Sequence, residues 1–216
     1  MAKRRGELRI VAFGDSITRG LAGEGVTEAG TYRKLLQKWL RVEANPAATV
    51  INAGVDSDIS SLALHRMDRD VLRHKPHWVT IMFGVNDAGF FRPWGPPAKF
   101  PRVVPEQFEN NLIEMIGRIA GVKARPVLVT PVPMSHYYGL RDLPYYRERG
   151  LNSLVERYVR IIQRLGKDKG VPVVDVFRAF QQVDGWHDLV PDGVHPNAAG
   201  QVLVANVLCT FFRDAL

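Results

Sequence analysis

Five short apolar stretches of strand length recur along this chain, and each is followed by a segment whose apolar residues repeat at helical spacing. Strands that alternate with helices pair in parallel, because each crossover is right-handed and lays its helix against the sheet. Such a sheet carries helices on both faces. The alternation therefore predicts a three-layer α/β/α sandwich with a five-stranded parallel, flavodoxin-like sheet.

The pattern also gives the positions of these elements. The strands are predicted at 8–13, 49–52, 78–83, 126–130 and 172–176, and the helices at 32–40, 60–71, 105–119, 154–165 and 196–212. In the last helix, the residues expected to face inward are Val202, Ala205, Leu208, Cys209 and Phe212. Cys209 is the single cysteine, so no intrachain disulfide can form, and we expect a buried, unreactive thiol.

Two long stretches without periodicity, 88–104 and 131–146, interrupt the alternation. Both contain prolines and several aromatic residues. Because irregular segments of this length in compact domains are commonly functional, we expect them to form walls beside a substrate site. The candidate substrate-binding residues are Phe90, Trp94 and Tyr137. The alternative is that these rings simply pack on the domain.

The size and charge of the chain restrict its organisation and its partners. Its 216 residues show no repeat and no linker, so we expect one domain over residues 1–216. Lysine and arginine exceed aspartate and glutamate by 29 to 22, and the resulting net charge of +7 favours anionic partners. Apart from Lys3, Arg4 and Arg5, the basic residues are spread along amphipathic segments, so no nucleic-acid partner is expected.

The first residues bear on the expected compartment. Residues 1–7 look like the basic start of a signal peptide, but the apolar segment that follows has only the length of a strand. No apolar stretch approaches the length of a transmembrane helix. If Met1 is the native start, we expect a cytoplasmic protein; a chain that had lost a leader peptide would have the same sequence and would be secreted.

Three of the predicted strands end in small or polar turns: GDS at 14–16, NAG at 52–54 and GVND at 84–87. The carboxyl ends of parallel strands meet at one edge of an open sheet, and ligands bind in the crevice there. A serine at such a place becomes a nucleophile when a base and an orienting group accompany it. Near the other end of the chain, Asp192 and His195 offer both within four residues.

These residue types match what acyl transfer requires. Ser16 would be the nucleophile, His195 the base and Asp192 the carboxylate that orients it. The backbone N–H groups of Ser16 and Gly54 and the side-chain amide of Asn86 would be the donors to the oxyanion. Asp15 is expected to cap backbone N–H groups in the turn and is a further candidate substrate-binding residue.

The four blocks GDSIT (14–18), NAG (52–54), GVND (84–87) and DGVHPN (192–197) resemble, in the same order, those of the SGNH (GDSL-type) hydrolases. This family comprises esterases, lipases and acetyl esterases. The resemblance implies a serine ester hydrolase that needs no metal or organic cofactor, with Ser16, Asp192 and His195 as its triad. It implies an oxyanion hole of Ser16, Gly54 and Asn86.

The chain departs from the family pattern in two places. It has GDSI where the family name has GDSL, which is a conservative change. The family often has a further glycine soon after the position of Gly54, whereas this chain continues with Val55, Asp56, Ser57 and Asp58. The conformation of the loop at Gly54 is therefore less firmly implied than the triad.

Two alternatives lie outside the family. His187, Asp188, Asp192 and His195 are close together in sequence and are all metal-capable, which would suit a metal-dependent hydrolase. A flavodoxin-like module that binds an anion without catalysis would suit the basic charge. Labelling of Ser16 by an acylating reagent distinguishes the serine hydrolase from both.

The family resemblance leaves several substrates open. Short-chain carboxylesters, acetylated carbohydrates, lysophospholipids and thioesters are all hydrolysed within it. We expect a small-molecule ester with a short or acetyl group, because a chain this compact has little material for a long acyl tunnel. The alcohol part would be a small alcohol, a sugar or a lipid. The histidine base predicts that kcat/KM rises with pH through a single ionisation in the neutral range.

Overall fold

The computed structural model describes residues 6–92 and 94–216; Lys3, Arg4, Arg5 and Pro93 lie outside the described residues. All five predicted strands are present: Leu8–Gly14 (β1), Ala48–Gly54 (β2), Trp78–Met82 (β3), Arg125–Val129 (β4) and Val173–Val174 (β5). They pair in parallel in the order β2-β1-β3-β4-β5. This order confirms the flavodoxin-like sheet.

Helices cover both faces of the sheet. Those of the described residues are Ser16–Arg19 (α1), Tyr32–Glu43 (α2), Ser60–Asp70 (α3), Val85–Ala88 (α4), Pro105–Gly121 (α5), Pro144–Arg149 (α6), Ser153–Lys169 (α7), Val176–Gln181 (α8) and Ala198–Ala215 (α9). Helix α2 packs against α9 in one layer, and α3, α5 and α7 pack side by side in the other. The three-layer arrangement is therefore confirmed. In the part of the chain described, no helix has the length and apolar character needed to cross a membrane.

The central strands are buried on both sides. Every residue of β3 is buried, and only one residue of β1 is even partly exposed. Strands covered on both faces are continuous apolar runs rather than alternating ones, which is why these two were recognisable in the sequence. At their carboxyl ends Phe13 and Phe83 pack edge to face, with ring centroids 5.1 Å apart. This contact supports the loops that follow both strands.

The structure contains short helices that the periodicity did not predict. Helices α1, α4, α6 and α8 have four to six residues each, too few for a repeating apolar pattern. Strand β5 is correspondingly shorter than the predicted 172–176. The reason is that Asp175 caps α8 by accepting a hydrogen bond from the Arg178 N–H at 3.1 Å, which turns the chain out of the sheet.

The final helix differs from the prediction at one position. Val202 is 45% exposed, so the expectation that it faces inward is wrong. Gln201 takes the inward position instead, because its Oε1 accepts a hydrogen bond from the Tyr32 N–H of α2 at 2.8 Å. Cys209 on the same helix is buried and free, as predicted, and burial raises the pKa of its thiol to about 11.

The strand order creates a crevice between β1 and β3. These strands are neighbours in the sheet, yet β1 leads into the layer of α2 and α9 whereas β3 leads towards that of α3, α5 and α7. Where successive crossovers move apart in this way, the loops at the carboxyl ends leave an opening in which ligands bind. The segments that begin at Ser16 and Val85 flank this opening.

Candidate active site

Ser16 is the first residue of α1 and follows β1 after a tight turn. A Cβ atom on Gly14 would lie 2.1 Å from Thr18 Oγ1 and 2.6 Å from the Met82 carbonyl oxygen, so only glycine fits there. Asp15 is the N-cap of α1, and its Oδ1 accepts a hydrogen bond from the Ile17 N–H at 2.9 Å. The predicted capping role of Asp15 is therefore confirmed.

A buried arginine that sequence reasoning missed holds the other end of α1. Arg33 of α2 is almost fully buried, and its Nε donates to the Thr18 carbonyl oxygen at 2.7 Å. Its Nη2 donates to the Arg19 carbonyl oxygen, also at 2.7 Å. These contacts satisfy carbonyl groups that a helix end leaves unpaired. An arginine inside an amphipathic helix gives no sequence signal for such a role.

The structure brings Ser16, His195 and Asp192 together. The Ser16 Oγ lies 2.9 Å from His195 Nε2, and His195 Nδ1 lies 2.6 Å from Asp192 Oδ2. A carboxylate only accepts hydrogen bonds, so Nδ1 carries the ring proton and Nε2 accepts from the Ser16 hydroxyl. The arrangement is that of a nucleophile, a base and the group that orients the base.

The turn at 192–195 fixes the carboxylate and the imidazole relative to each other. Asp192 Oδ1 accepts hydrogen bonds from the Val194 N–H at 2.8 Å and the His195 N–H at 2.7 Å. Partial burial acts to raise the pKa of Asp192, but the hydrogen bonds from the His195 ring and these backbone groups outweigh it, and the pKa is lowered. Asp192 is thus held as a carboxylate, the form that stabilises an imidazolium.

Gly193 makes that turn possible. Its φ is +93°, and a Cβ atom would lie 2.2 Å from the Tyr138 Cα. The Gly193 carbonyl oxygen accepts a hydrogen bond from the Ser135 N–H at 3.1 Å. The segment around 135–138 is therefore packed directly on the turn that carries Asp192 and His195.

Asn86 and Asp15 meet beneath the serine. Asn86 lies in α4, and its Nδ2 is 3.3 Å from Asp15 Oδ2. Burial raises the pKa of Asp15 to about 7, against the lowering effect of the Ile17 N–H, and the neighbouring carboxyl of Asp87 raises it further. One Asp15 oxygen thus caps α1 while the other contacts the amide predicted to bind the oxyanion.

A second buried carboxyl lies next to this pair. Asp87 Oδ1 accepts hydrogen bonds from the N–H and the hydroxyl of Ser60, and its Oδ2 has no partner among the described residues. Burial raises the pKa of Asp87 to about 6 although the Ser60 hydrogen bonds lower it. Asp87 therefore joins α4, the helix that carries Asn86, to the start of α3.

The predicted oxyanion donor Gly54 is engaged elsewhere in the structure. Its N–H donates to Asn52 Oδ1 at 2.9 Å, and a Cβ atom on it would lie 2.2 Å from the Arg19 N. Ser57, three residues on, has φ of +58° and lines the pocket with Ser16 and Asn86. Among the described residues its N–H has no hydrogen-bond acceptor. The sequence indicated the position of Ser57 in one way: it lies soon after Gly54, where the family often has a further glycine.

A pocket of about 450 Å³ adjoins Ser16. Its apolar wall consists mainly of Val85, Phe91, Met134, Tyr138, Leu140 and Val194. Both irregular segments predicted to form walls contribute, 88–104 through Gly89 and Phe91 and 131–146 through Met134 and residues 138–140. The wall is largely apolar, as expected for a site that receives an acyl or alkyl group.

The four candidate substrate-binding residues are not in this wall. Phe90 is buried, with its ring 5.4 Å from that of Tyr145, and Asp15 is buried beneath Ser16. Trp94 is 88% exposed. The Tyr137 hydroxyl donates to Asp188 Oδ1 at 2.9 Å. Phe91 and Tyr138, the sequence neighbours of Phe90 and Tyr137, line the pocket instead, because the direction of a side chain in an irregular segment does not follow a period.

The residues proposed for a metal site do not converge. The His187 ring stacks on Trp186 at 3.9 Å, and its Nδ1 accepts from the His136 N–H. Asp188 accepts from Tyr137, while Asp192 and His195 pair with each other. Among residues 6–92 and 94–216, no three histidine, cysteine or acidic side chains are grouped as metal ligands. The positions of these four side chains therefore do not support the alternative of a metal-dependent hydrolase.

Comparison with known proteins gives the family. The sequence pattern of the GDSL-like Lipase/Acylhydrolase family matches residues 12–203. The chain belongs to this family. The region matched contains Ser16, Asn86, Asp192 and His195. Family membership confirms the resemblance stated above and the prediction of an ester-hydrolysing enzyme, so the non-catalytic alternative is not retained.

Individual GDSL relatives cover most of the chain. The lipoprotein YqeF of Bacillus subtilis is 31% identical over 84% of this chain and 75% of its own. An acetylxylan esterase of Geobacillus stearothermophilus is 23% identical over 95% of this chain and 93% of its own. The solved lipase/acylhydrolase of Enterococcus faecalis is 27% identical, with a TM-score of 0.77 over 97% of both chains.

Proposed function

We propose that this GDSL hydrolase is a serine esterase that forms an acyl-enzyme on Ser16. The observation that carries the proposal is the continuous hydrogen-bond chain from Ser16 Oγ through the His195 ring to Asp192. Each contact has a length suited to proton transfer from the serine. Ser16, at the start of this series of hydrogen bonds, lines the apolar pocket, which has room for an acyl group.

In the proposed reaction, the proton moves between Ser16, His195 and the substrate. Ser16 Oγ attacks the ester carbonyl while its proton passes to His195 Nε2, and the imidazolium is stabilised by Asp192. His195 then gives that proton to the departing alcohol oxygen, and the acyl group remains on Ser16. A water molecule, deprotonated by His195, attacks the acyl-enzyme and releases the acid. Ser16 recovers its proton in this last step.

The oxyanion is proposed to bind Ser16 N–H, the Asn86 amide and the N–H of Ser57. Ser57 replaces Gly54 in this role, because the Gly54 N–H already donates to Asn52 whereas the Ser57 N–H has no acceptor among the described residues. Preorganised donors of this kind stabilise the charge that develops on the carbonyl oxygen. The left-handed backbone at Ser57 is consistent with a residue held in a functional conformation.

The proposed substrate is a small ester with a short acyl group. The pocket of about 450 Å³ is bordered by side chains of both irregular segments, and this volume suits a small ester. The acetylxylan esterase among the relatives supports an acetyl or similar group. A lysophospholipase or thioesterase of the same family is the alternative.

We further propose that residues 1–216 act as one domain, since the site draws on residues from 16 to 195.

Labelling with a small fluorophosphonate tests the nucleophile. Intact mass should show one adduct on the parent and on a Ser153→Ala control, and none on Ser16→Ala, with or without a chelator. Hydrolysis of a soluble acetyl ester should be lost with the adduct. A folded parent that takes up no label would contradict the proposal, and hydrolysis that a chelator abolishes would favour metal-dependent chemistry.

A further inference from the structure

The described residues of the segment 89–102, which are all but Pro93, form a loop that is closed at its base and exposed at its tip. Three backbone hydrogen bonds join its two arms: Ala98 N–H to Phe90 O at 2.7 Å, Arg102 N–H to Gly89 O at 3.2 Å and Val103 N–H to Asp87 O at 3.1 Å. The buried ring of Phe90 packs on Tyr145 and Tyr146 and anchors the base. The loop is thus held on the protein although its tip extends into solvent.

Large aromatic side chains are exposed on this loop. Trp94 is 88% exposed, Phe100 is 74% exposed and Phe91 is 42% exposed. Tryptophan and phenylalanine are usually well buried, and clustered exposed apolar side chains mark interaction surfaces. Phe91 also lines the pocket next to Ser16. The exposed rings therefore lie on the same loop that borders the active site.

The polar side chains of the loop are exclusively cationic. Residues 88–104 contain no acidic, amide or hydroxyl side chain; the polar members are Arg92, Lys99 and Arg102. Arg102 faces inward, where its Nη2 donates to the Ser57 carbonyl oxygen at 2.9 Å, while Arg92 and Lys99 are exposed. The outer surface of the loop thus combines aromatic rings with positive charge.

This chemistry matches an anionic lipid surface better than a neutral glycan. Sugar hydroxyl groups both donate and accept hydrogen bonds, whereas arginine and lysine only donate. Lipid interfaces bind aromatic rings at the level of the headgroups and attract basic side chains to anionic phosphates. We propose that the loop 89–102 docks the enzyme on anionic lipid surfaces, with Trp94 and Phe100 in the interface and Arg92 and Lys99 on the headgroups.

Docking is independent of the proposed chemistry at Ser16. The rings and cations that bind the surface are distinct from the triad, so Ser16→Ala should bind vesicles as the parent does. If the proposed hydrolysis is wrong and docking is right, binding remains and labelling is absent. The docking proposal and the proposed hydrolysis can therefore each be refuted without refuting the other.

Vesicle sedimentation tests the docking loop. The parent should bind vesicles that contain phosphatidylglycerol and bind phosphatidylcholine vesicles much more weakly, and added salt should release it. Trp94→Ala with Phe100→Ala should weaken binding by about tenfold or more. Arg92→Gln with Lys99→Gln should weaken it by about fivefold for each charge removed.

Matched controls keep this experiment decisive. Val42→Ala with Val202→Ala removes exposed apolar side chains from α2 and α9 and should bind like the parent. Thermal melting shows that each variant is folded. A parent that does not bind anionic vesicles, or loop variants that bind like the parent, would overturn the proposal. So would retention on insoluble acetylated xylan that depends on Trp94 and occurs without vesicle binding.

Discussion

At the scale of single residues, Asp15 has an unusual combination of contacts. One carboxyl oxygen caps the helix that carries Ser16, and the other contacts the Asn86 amide. Its surroundings are rich in charge: the electrostatic neighbours are Asp58, Asp87 and His195, together with Arg102 and Tyr32. Ionisation of Asp15 should therefore affect the proposed nucleophile Ser16, the proposed oxyanion donor Asn86 and the proposed base His195 together.

Asp15→Asn should change how stability depends on pH. The pKa of Asp15 is 3.8 unfolded and about 7 folded, so the folded state binds the extra proton and loses stability as pH rises between these values. The shift corresponds to roughly 4 kcal/mol of unfolding free energy. Asparagine keeps the shape without ionising, so the variant should gain stability relative to the parent from about pH 4 to pH 7. Parallel curves in chemical denaturation across this range would contradict the assignment.

Asn86→Ala should lower turnover without unfolding the protein. If the amide binds the oxyanion, its removal should reduce kcat by about a hundredfold to a thousandfold with little change in KM. Asn86→Asp has nearly the same size but presents no N–H donor when ionised, so it should be at least as impaired. Steady-state kinetics on a soluble ester measure both. A loss confined to KM would show that Asn86 binds the substrate and not the transition state.

At the scale of elements, two arginines, Arg33 and Arg66, hold the site together; Arg33 is buried and Arg66 is partly exposed. Arg33 of α2 donates to the last carbonyl groups of α1. Arg66 of α3 donates to the carbonyl oxygens of Gly14 and Ala53, both at 2.9 Å, and its guanidinium lies over the Phe13 ring. Helix α1 has only four residues and is not stable alone, so these side chains supply the support that length does not.

Arg33→Met should show the importance of that support. It keeps an apolar stem but leaves the Thr18 and Arg19 carbonyl oxygens without these donors, which should cost about 3 kcal/mol of unfolding free energy. Because α1 carries Ser16, the rate of fluorophosphonate labelling should fall as well. Lys38→Ala removes an exposed cation from the same helix and is the control. Equal melting temperatures for the two variants would refute the role of Arg33.

Gly54→Ala tests the packing role of Gly54. The added Cβ would lie 2.2 Å from the backbone of Arg19, so we expect a loss of more than about 2 kcal/mol in stability. In contrast, Gly117→Ala adds a methyl group to open space in α5 and should stabilise by about 1 kcal/mol. Denaturant titrations measure both. A Gly54→Ala variant as stable as the parent would contradict the packing role of Gly54.

The elements differ in how far the sequence determines them. The long helices and the buried strands could be predicted, because each repeats a packing requirement over many residues. Helices α6 and α8 could not, since six residues do not establish a period. Capping residues would have helped: Asp175 before α8 is a start signal that competes with the apolar run of the strand. At the site, the grouping of Ser16, His195 and Asp192 was predictable from the motif blocks, whereas the positions of Ser57, Phe91 and Tyr138 at the pocket depend on loop conformation.

At the scale of the whole molecule, the order of the strands explains why the site lies where it does. Ser16 follows β1 and Asn86 follows β3, which are neighbours in the sheet although β2 separates them in sequence. Asp192 and His195 reach the same opening only after β5, on the turn that precedes α9. The site is therefore assembled by the sheet and does not belong to any single loop.

The contact between Ser16 and His195 joins residues 179 positions apart. During synthesis, a ribosome-bound nascent chain that contains β1 to β4 already has Ser16 but not His195, its proposed base. Competence to react should therefore arise in one late step, after residue 195 has left the exit tunnel. Stalled chains of increasing length, treated with a fluorophosphonate, should remain unlabelled until that point. If so, the growing polypeptide exposes no reactive serine before the residues that form the pocket have been synthesised.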